Sequence, residues 1–584
     1  MKRSIYISFT LLLVLGITSC NKSWLEPDPL SILTPQNVYV DKAGFESLLI
    51  SMRKNLKKEM YENRNPIAGE VAASDLAIPI FQIDFRKLTP NSDKFWKYLT
   101  FYTTAYQCIK DANVAISRID DITWDQEQDR NRILAEALWH RAYWYYRLVN
   151  SYGDVPWIGQ EVQDAKLDFQ TYSRWTILDK IESDLDYAVQ WLPVSAPAGA
   201  ITQGAGNMLL AKVSLANTDF DKAIEAATDV INGPYALMKD RFGAYGDDPA
   251  YNVIWDLHRP QNINIAQNKE TILATVDRYE APPGAKSAGT YSMRLYNSAF
   301  YNAVAKDSQG KHGTIDAGGE YDSLGRGNAD VRLDPFYEYE VWAFGDQRWN
   351  HTTDLRRSDI NWTDLDEIYY NNPESVNYGE PLNPKWFASL LDTLQANYAM
   401  PTYITYVPQQ STGTPYGGNG DWYIYRLAGT YLIRAEAEFW KGEKALAADD
   451  INAVRQRAHA LPITADQVTI DFIFDERARE LFAEAPRHSE LVRASYIMAK
   501  LNVGGYSLNN FSKKNYYFDR VMARNIFYKQ PLTFYANTIF MSPYNALWPV
   551  PSDVITANTL GRINQNEGYD GAERNAPPVT DPIQ

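Results

Sequence analysis

Apolar positions recur at helical spacing through most of the first 240 residues. Phe45, Leu48, Leu49, Met52 and Leu56 lie on one face of a predicted helix. Residues 95 to 119 predict a second. In the segment 132–151, Leu134, Leu138, Ala142, Tyr145 and Val149 form one stripe, and Trp139, Tyr143 and Tyr146 form another. A helix apolar on two sides packs between neighbours. Gly153 and Pro156 end it. The segment 177–192 predicts a further helix, stopped by Pro193. A helix pair follows at 207–217 and 219–232, and a second pair at 425–440 and 443–460 resembles it. Alanines recur where the helices meet, and Lys222-Ala223 answers Lys444-Ala445 after each turn. Small residues at helix contacts with tight polar turns are the habit of tetratricopeptide-like repeats. Between the pairs, residues 240–420 lose helical periodicity and fill with Gly, Pro, Asn, Asp and aromatic residues. Short strands are expected there, at 271–276 and, from the alternation of Tyr337, Tyr339 and Val341, next to Trp342. The Gly417-Gly418-Asn419-Gly420 run reads as a turn. So long a loop-rich stretch in a helical protein points to function. The expected fold is mainly α: a tetratricopeptide-like helix-pair scaffold with long loop-rich insertions and a few short strands.

The N-terminus has a different pattern. Lys2 and Arg3 precede a run from Ile5 to Ile17 that is apolar apart from Ser8 and Thr10, and Thr18-Ser19-Cys20 follows. This is the layout of a secretory signal with a small-residue cleavage site. The run is shorter than the ~20 apolar residues a membrane span needs. Ile17-Thr18-Ser19-Cys20 resembles a lipobox, so Cys20 is the expected lipidation site. Acyl chains contribute ~0.8 kcal/mol per buried CH2, and two or more make a stable anchor. The alternative is a plain signal peptide cut nearby. The expected organisation is a signal peptide over 1–19, the lipidated cysteine and a proline-bearing tether over 20–37, and a single domain over 38–584.

Composition narrows the chemistry. The only other cysteine is Cys108, so a lipidated Cys20 leaves no intrachain disulfide. The formal charge is -15, and loss of Lys2 and Arg3 with the signal makes it -17. Such a surface field disfavours nucleic acid and anionic membranes. There are 40 Tyr against 22 Phe, with 16 Trp. A buried Tyr hydroxyl must find a partner, so many of these rings are expected at half-open positions suited to flat polar ligands such as sugars.

The six histidines (His140, His258, His312, His351, His459 and His488) include no HExxH or other helical ligand spacing. No GxSxG elbow or Walker A loop occurs. Cys108 reads as a packed thiol. Asp316, Glu320 and Asp322 offer oxygens to Ca2+ but do not form an EF-hand loop, and solvated loop carboxylates are the default reading. No cofactor is expected. A glycosidase pair of carboxylates has no local signature, which leaves a secreted glycoside hydrolase as an alternative.

Several blocks, in order, resemble the RagB/SusD family of outer-membrane lipoproteins of Bacteroidota. They are Trp24-Leu25-Glu26-Pro27 after the cysteine, and Ala137-Leu138-Trp139-His140-Arg141-Ala142-Tyr143-Trp144-Tyr145 leading to Tyr152-Gly153-Asp154-Val155-Pro156. Next come Ile433-Arg434-Ala435-Glu436-Ala437 with Ile451 to Ala458, and Glu476-Arg477-Ala478-Arg479-Glu480-Leu481 with Arg487 and Glu490 to Arg493. Leu547-Trp548-Pro549-Val550-Pro551 with Asn558 and Asn564 to Tyr569 closes the series. The resemblance implies a scaffold of four repeat-like helix pairs carrying a shallow ligand site on loops. It implies capture of oligosaccharides, or of peptides in RagB-like members, at the cell surface. It also implies delivery to a SusC-like TonB-dependent outer-membrane transporter, over which the protein sits as a lid. Glu436, Arg455 and Glu476 are then paired structural charges. The family's site segments contain Asp75, Phe81, Phe85, Tyr291, Tyr296, Tyr301 and Tyr321 here, with Trp342, Trp349 and Trp362 as further candidates.

Overall fold

Helix starts and stops in the computed structural model follow local chemistry. It describes residues 38–80, 84–94, 97–301, 304–530, 532–534 and 537–584. Helix α1 (Lys42–Asn55) begins where the Asp41 carboxylate accepts the Gly44 N–H at 2.9 Å, and it buries the predicted Phe45–Leu48–Leu49–Met52 face. Helix α2 (Pro66–Ala72) starts on Asn65 with proline at its first position. Helix α3 covers Phe101–Arg118 and α4 Glu127–Tyr152. In α4 both stripes are covered: Trp139, Ala142, Tyr145 and Val149 are fully buried. Gly153 ends it at φ +70, and a Cβ there would stand 2.7 Å from the Tyr496 hydroxyl. Helix α5 (Arg174–Trp191) is capped by Ser173 and halts before Pro193.

The two pairs anticipated from repeat spacing are α6 (Gln203–Asn217) with α7 (Phe220–Ile231), and α8 (Leu427–Lys441) with α9 (Lys444–Arg457). From α3 to α9 each helix packs on the next, and α8 packs directly on α7 although 195 residues separate them. Lys441 pairs with Asp221 at 2.6 Å, and Arg434 Nη1 donates to Thr228 Oγ1 at 3.0 Å across that junction. The loop-rich stretch is therefore spliced into a continuous helical stack. Its base is closed by Thr271–Thr275 running antiparallel to Trp422–Arg426. A second short ladder, Ala77–Pro79 with Val331–Leu333, ties it to the N-terminal region. Helices α10 (Ile470–Glu480), α11 (Arg487–Lys500) and α12 (Tyr516–Arg524) complete the scaffold. The architecture is mainly α, with short two-stranded ladders. No described helix is long and apolar enough to cross a membrane.

One expected strand is a helix. Residues Pro335–Glu338 form a helical turn capped by Asp334, and Glu340–Trp342 a 3-10 turn. Two-residue alternation over so short a run also fits a helical turn with one buried side. Trp342 is buried as anticipated, with its indole N–H donating to Tyr337 O at 2.7 Å.

The scaffold core and the root of the insertion are held together by an ionic lattice. Arg426 contacts Glu270, Glu480 and Glu484, and Arg457 binds Glu270 and Glu480. Arg356, Arg455 and Arg479 converge on Glu476. Arg493 holds Glu436 through two hydrogen bonds of 2.6 and 2.8 Å. The guanidiniums around Glu476, and the Lys212 ammonium with Arg493 and Arg477 around Glu490, overcome burial and keep both well below the usual carboxylate range. The expected pairing of Glu436, Arg455 and Glu476 is thus observed.

Candidate functional site: a tyrosine–arginine platform on the insertion

Three backbone segments of the insertion meet side by side. Thr290 and Tyr291 donate N–H to Gly418 and Gly417 O at 3.0 and 3.2 Å; Arg294 N donates to Tyr416 O at 3.0 Å and Arg326 N to Pro415 O at 2.8 Å. Asn328 N closes the set on Arg294 O at 2.9 Å. The approach requires Gly289, φ +112, where a Cβ would stand 2.6 Å from Gly417 O. Gly417 and Gly418 thus back the candidate site, and the run is more than a turn.

These bonds array aromatic and cationic side chains. Tyr291 and Tyr416 stack with centroids 5.6 Å apart and planes 18° apart. Arg294 lies over Tyr416 at 4.6 Å, and Arg326 over Tyr301 at 4.7 Å. Tyr301 meets Tyr321 edge-on at 6.2 Å. Arg326 also interacts with Tyr416 and pairs with Asp316 at 3.3 Å, so it joins the two tyrosine pairs. Tyr291, Tyr416, Arg294 and Arg326 are half-buried, Asp316 is exposed, and Tyr301 and Tyr321 are buried. Tyr291 takes φ +54, a left-handed geometry that costs roughly 1–2 kcal/mol in a non-glycine residue. Arg294 Nη1 is buried without a hydrogen-bond partner among the described residues. Burial pushes the Tyr301 hydroxyl up to about 12 although Arg326 opposes it, and burial raises Tyr321 too, so both stay neutral donors near neutral pH. The arrangement offers flat rings for the C–H faces of a sugar and forked N–H donors for its oxygens.

The structure divides the residues expected at the site. Tyr291, Tyr301 and Tyr321 come together. Asp75 is corrected to a scaffold charge: it is fully buried between Arg487 and Arg520 at 2.6 and 2.8 Å, which hold it far below the usual carboxylate range. Phe85 is corrected to the interior, stacked on Trp548 at 5.8 Å. Tyr296 is likewise interior, edge-on to Phe482 at 5.4 Å. Trp342 and Trp362 are buried against each other at 5.8 Å, and Trp349 leans on Tyr339 at 4.9 Å. Phe81 and Cys20 lie outside the described residues. Sequence reasoning missed Tyr416, Arg294 and Arg326. The signal available was Tyr416 itself, set between Pro415 and two glycines.

Other chemistry is sparse. Among the described residues no group of three or more His, Cys, Asp or Glu is placed to hold a metal ion. Burial pushes the Cys108 thiol up to about 12, which suppresses its reactivity. A larger cleft of about 1360 Å3 opens between α3, α4 and the segment 157–169. Trp157 lines it, stacked on Tyr145 at 4.4 Å.

A scaffold of packed helix pairs interrupted by a long insertion that builds an aromatic surface defines the class of fold. The chain belongs to the SusD family, whose model matches residues 251–569, more than half of it. Residues 24–215 match a second model, described as "Starch-binding associating with outer membrane". SusD-like protein P25 of Formosa agariphila is 22% identical over 524 residues, covering 82% of this chain and 88% of that one. SusD-like protein P2 of the same organism is 31% identical over 229 residues, spanning 38% of this chain and 45% of that one. The starch-binding protein SusD of Bacteroides thetaiotaomicron is 33% identical over 147 residues, 25% of this chain and 21% of that one. Among solved structures, a laminarin-binding SusD-like protein superposes with TM-score 0.61 at 20% identity, covering 91% of this chain and all of that one. Surface glycan-binding protein A of Bacteroides thetaiotaomicron gives TM-score 0.63 at 16% identity with the same coverage.

Proposed function

We propose that this protein is a non-catalytic, lipid-anchored surface protein that captures oligosaccharides or polysaccharide fragments on its tyrosine–arginine platform. It passes them to a SusC-like TonB-dependent transporter in the outer membrane. The observation that carries the reading is the Tyr291–Tyr416 stack beside Arg294 and Arg326. Support comes from relatives whose names record starch, laminarin and surface-glycan binding. Acyl chains on Cys20 would tether the domain through residues 21–37. The whole chain in detergent, titrated calorimetrically against glycans and peptides, tests the proposal. Binding of peptides alone moves the reading to a RagB-like peptide carrier, and turnover of any glycan moves it to a glycoside hydrolase. A co-purifying β-barrel is expected from native membranes, and loss of labelled palmitate in Cys20→Ala is expected if the anchor is lipid.

A further inference from the structure

A cleft of about 770 Å3 beside the tyrosine platform reverses the charge of the molecule. The chain as a whole carries 57 Lys and Arg against 72 Asp and Glu. The cleft is lined by Lys54, Lys57, Lys58, Arg64 and Lys286 against one carboxylate, Glu62. Two of the cations are neutralised from behind: Lys57 by Asp277 at 2.8 Å and Arg64 by Asp330 at 3.4 Å. The other three have no carboxylate partner among the described residues. Lys54 is exposed, Lys58 reaches only the Cys108 sulfur at 3.8 Å, and Lys286 donates to Tyr279 O at 2.6 Å while lying over that ring at 4.3 Å. A neutral thiol, a carbonyl and a ring face form no ion pair with these ammonium groups. Like charges gathered in a concave wall focus a positive potential there, against the field of the rest of the surface.

Backbone hydrogen bonds join the cleft to the platform. Lys286 and Ser287 line the cleft, Glu62 N donates to Gly289 O at 2.9 Å, and Tyr291 follows two residues on. On the other side Arg64 binds Asp330, and Asn328, two residues before Asp330, is bonded to Arg294 O at 2.9 Å. Arg294 and Arg326 on the platform are themselves cationic, opposed there by Asp316.

We infer that the ligand of this site is an acidic polysaccharide, with carboxylate or sulfate groups held among Lys54, Lys58 and Lys286 while a sugar ring stacks at Tyr416. This rests on the glycan reading above and specifies its substrate class. The shared chemistry, an anionic oxygen cluster, also occurs in phospholipid headgroups. The contiguity with the aromatic platform favours the polysaccharide.

The test uses the whole chain in detergent, with polygalacturonate, a sulfated galactan, laminarin, starch and glycerol phosphate as probes. Acidic polysaccharides should bind at least about tenfold more tightly than neutral ones at low salt, and this margin should shrink between about 50 and 300 mM salt as screening shortens. The triple variant Lys54→Gln, Lys58→Gln, Lys286→Gln should lose the preference and the salt dependence while its melting temperature stays unchanged. Equal or tighter binding of laminarin or starch, insensitive to the triple variant, overturns the inference and leaves the glycan reading standing. Glycerol phosphate bound as tightly as the acidic polysaccharides overturns it in favour of a lipid headgroup. Failure of every polysaccharide to bind overturns both.

Discussion

The helical scaffold and the spliced insertion use the same residue types in opposite ways. In the scaffold's ionic lattice, arginines are buried and their charge is matched by carboxylates, as Arg457 is by Glu270 and Glu480. On the insertion platform, Arg294 and Arg326 lie over tyrosine rings and stay half-open. A cation over a ring keeps much of its hydrogen-bonding capacity, whereas a buried guanidinium between two carboxylates spends its charge on them and is closed to a ligand. The first arrangement is suited to meeting a ligand and the second to locking helices. The aromatic residues divide similarly. Trp139 and Trp144 of α4 are sealed in the core, while Tyr291 and Tyr416 form a stack that reaches solvent.

The sharpest way to break this contrast is to cut one partner from each region. Glu480→Gln removes the negative charge shared by Arg356, Arg426 and Arg457 and should cost about 3–5 kcal/mol of stability, because it leaves buried guanidiniums under-compensated. Chemical denaturation reads this, with glycan affinity per folded molecule unchanged. Tyr416→Ala should do the reverse. Affinity should fall about tenfold or more, as expected for an aromatic contact worth ~1.5 kcal/mol or more, with stability almost intact. If Trp157→Ala abolishes binding while Tyr416→Ala does not, the site belongs in the large cleft on the scaffold.

Acid should separate the regions as well. Glu476 and Glu490 have folded-state pKa values well below 4.5, so the stability they confer is present above pH ~4.5 and lost as pH falls toward their folded values. Melting temperature should hold down to about pH 4.5 and then drop. The smallest effect concerns Glu438, which burial and the nearby Asp450 push up to about 8 despite Arg434 at 3.9 Å. A raised carboxylate favours folding while protonated, and its contribution is lost as pH rises through about 8. Glu438→Gln should therefore raise the melting temperature at pH 9 by a few degrees and leave it unchanged at pH 4. An equal shift at both pH values would place its effect in packing.

Much of the scaffold was legible because its signals are local. The apolar face of α1, the two stripes of α4, the Pro193 stop and the Ala-rich pairs each lie within one helix. Asp75 and Phe85 misled for the complementary reason: a carboxylate and a ring in a loop look available until their partners, Arg487, Arg520 and Trp548, arrive from more than 400 residues away. Tyr296 sits on the same short helix as Ser292 and Arg294 yet faces inward. Only the packing of Phe482 against it decides that.

The sequence by itself therefore determined the amphipathic helices of the first half, the two helix pairs, their Gly and Pro stops, the interruption between 240 and 420 and the family to which the chain is assigned. These depend on residues within a few turns of one another, where periodicity and capping act. Tertiary structure alone decided that α8 returns onto α7, that segments near 291, 326 and 416 align to make one platform, and that five cations gather beside it in an acidic protein. Backbone pairing and charge focusing act across space, and residues more than a hundred positions apart carry no mark in the sequence of the face they will share.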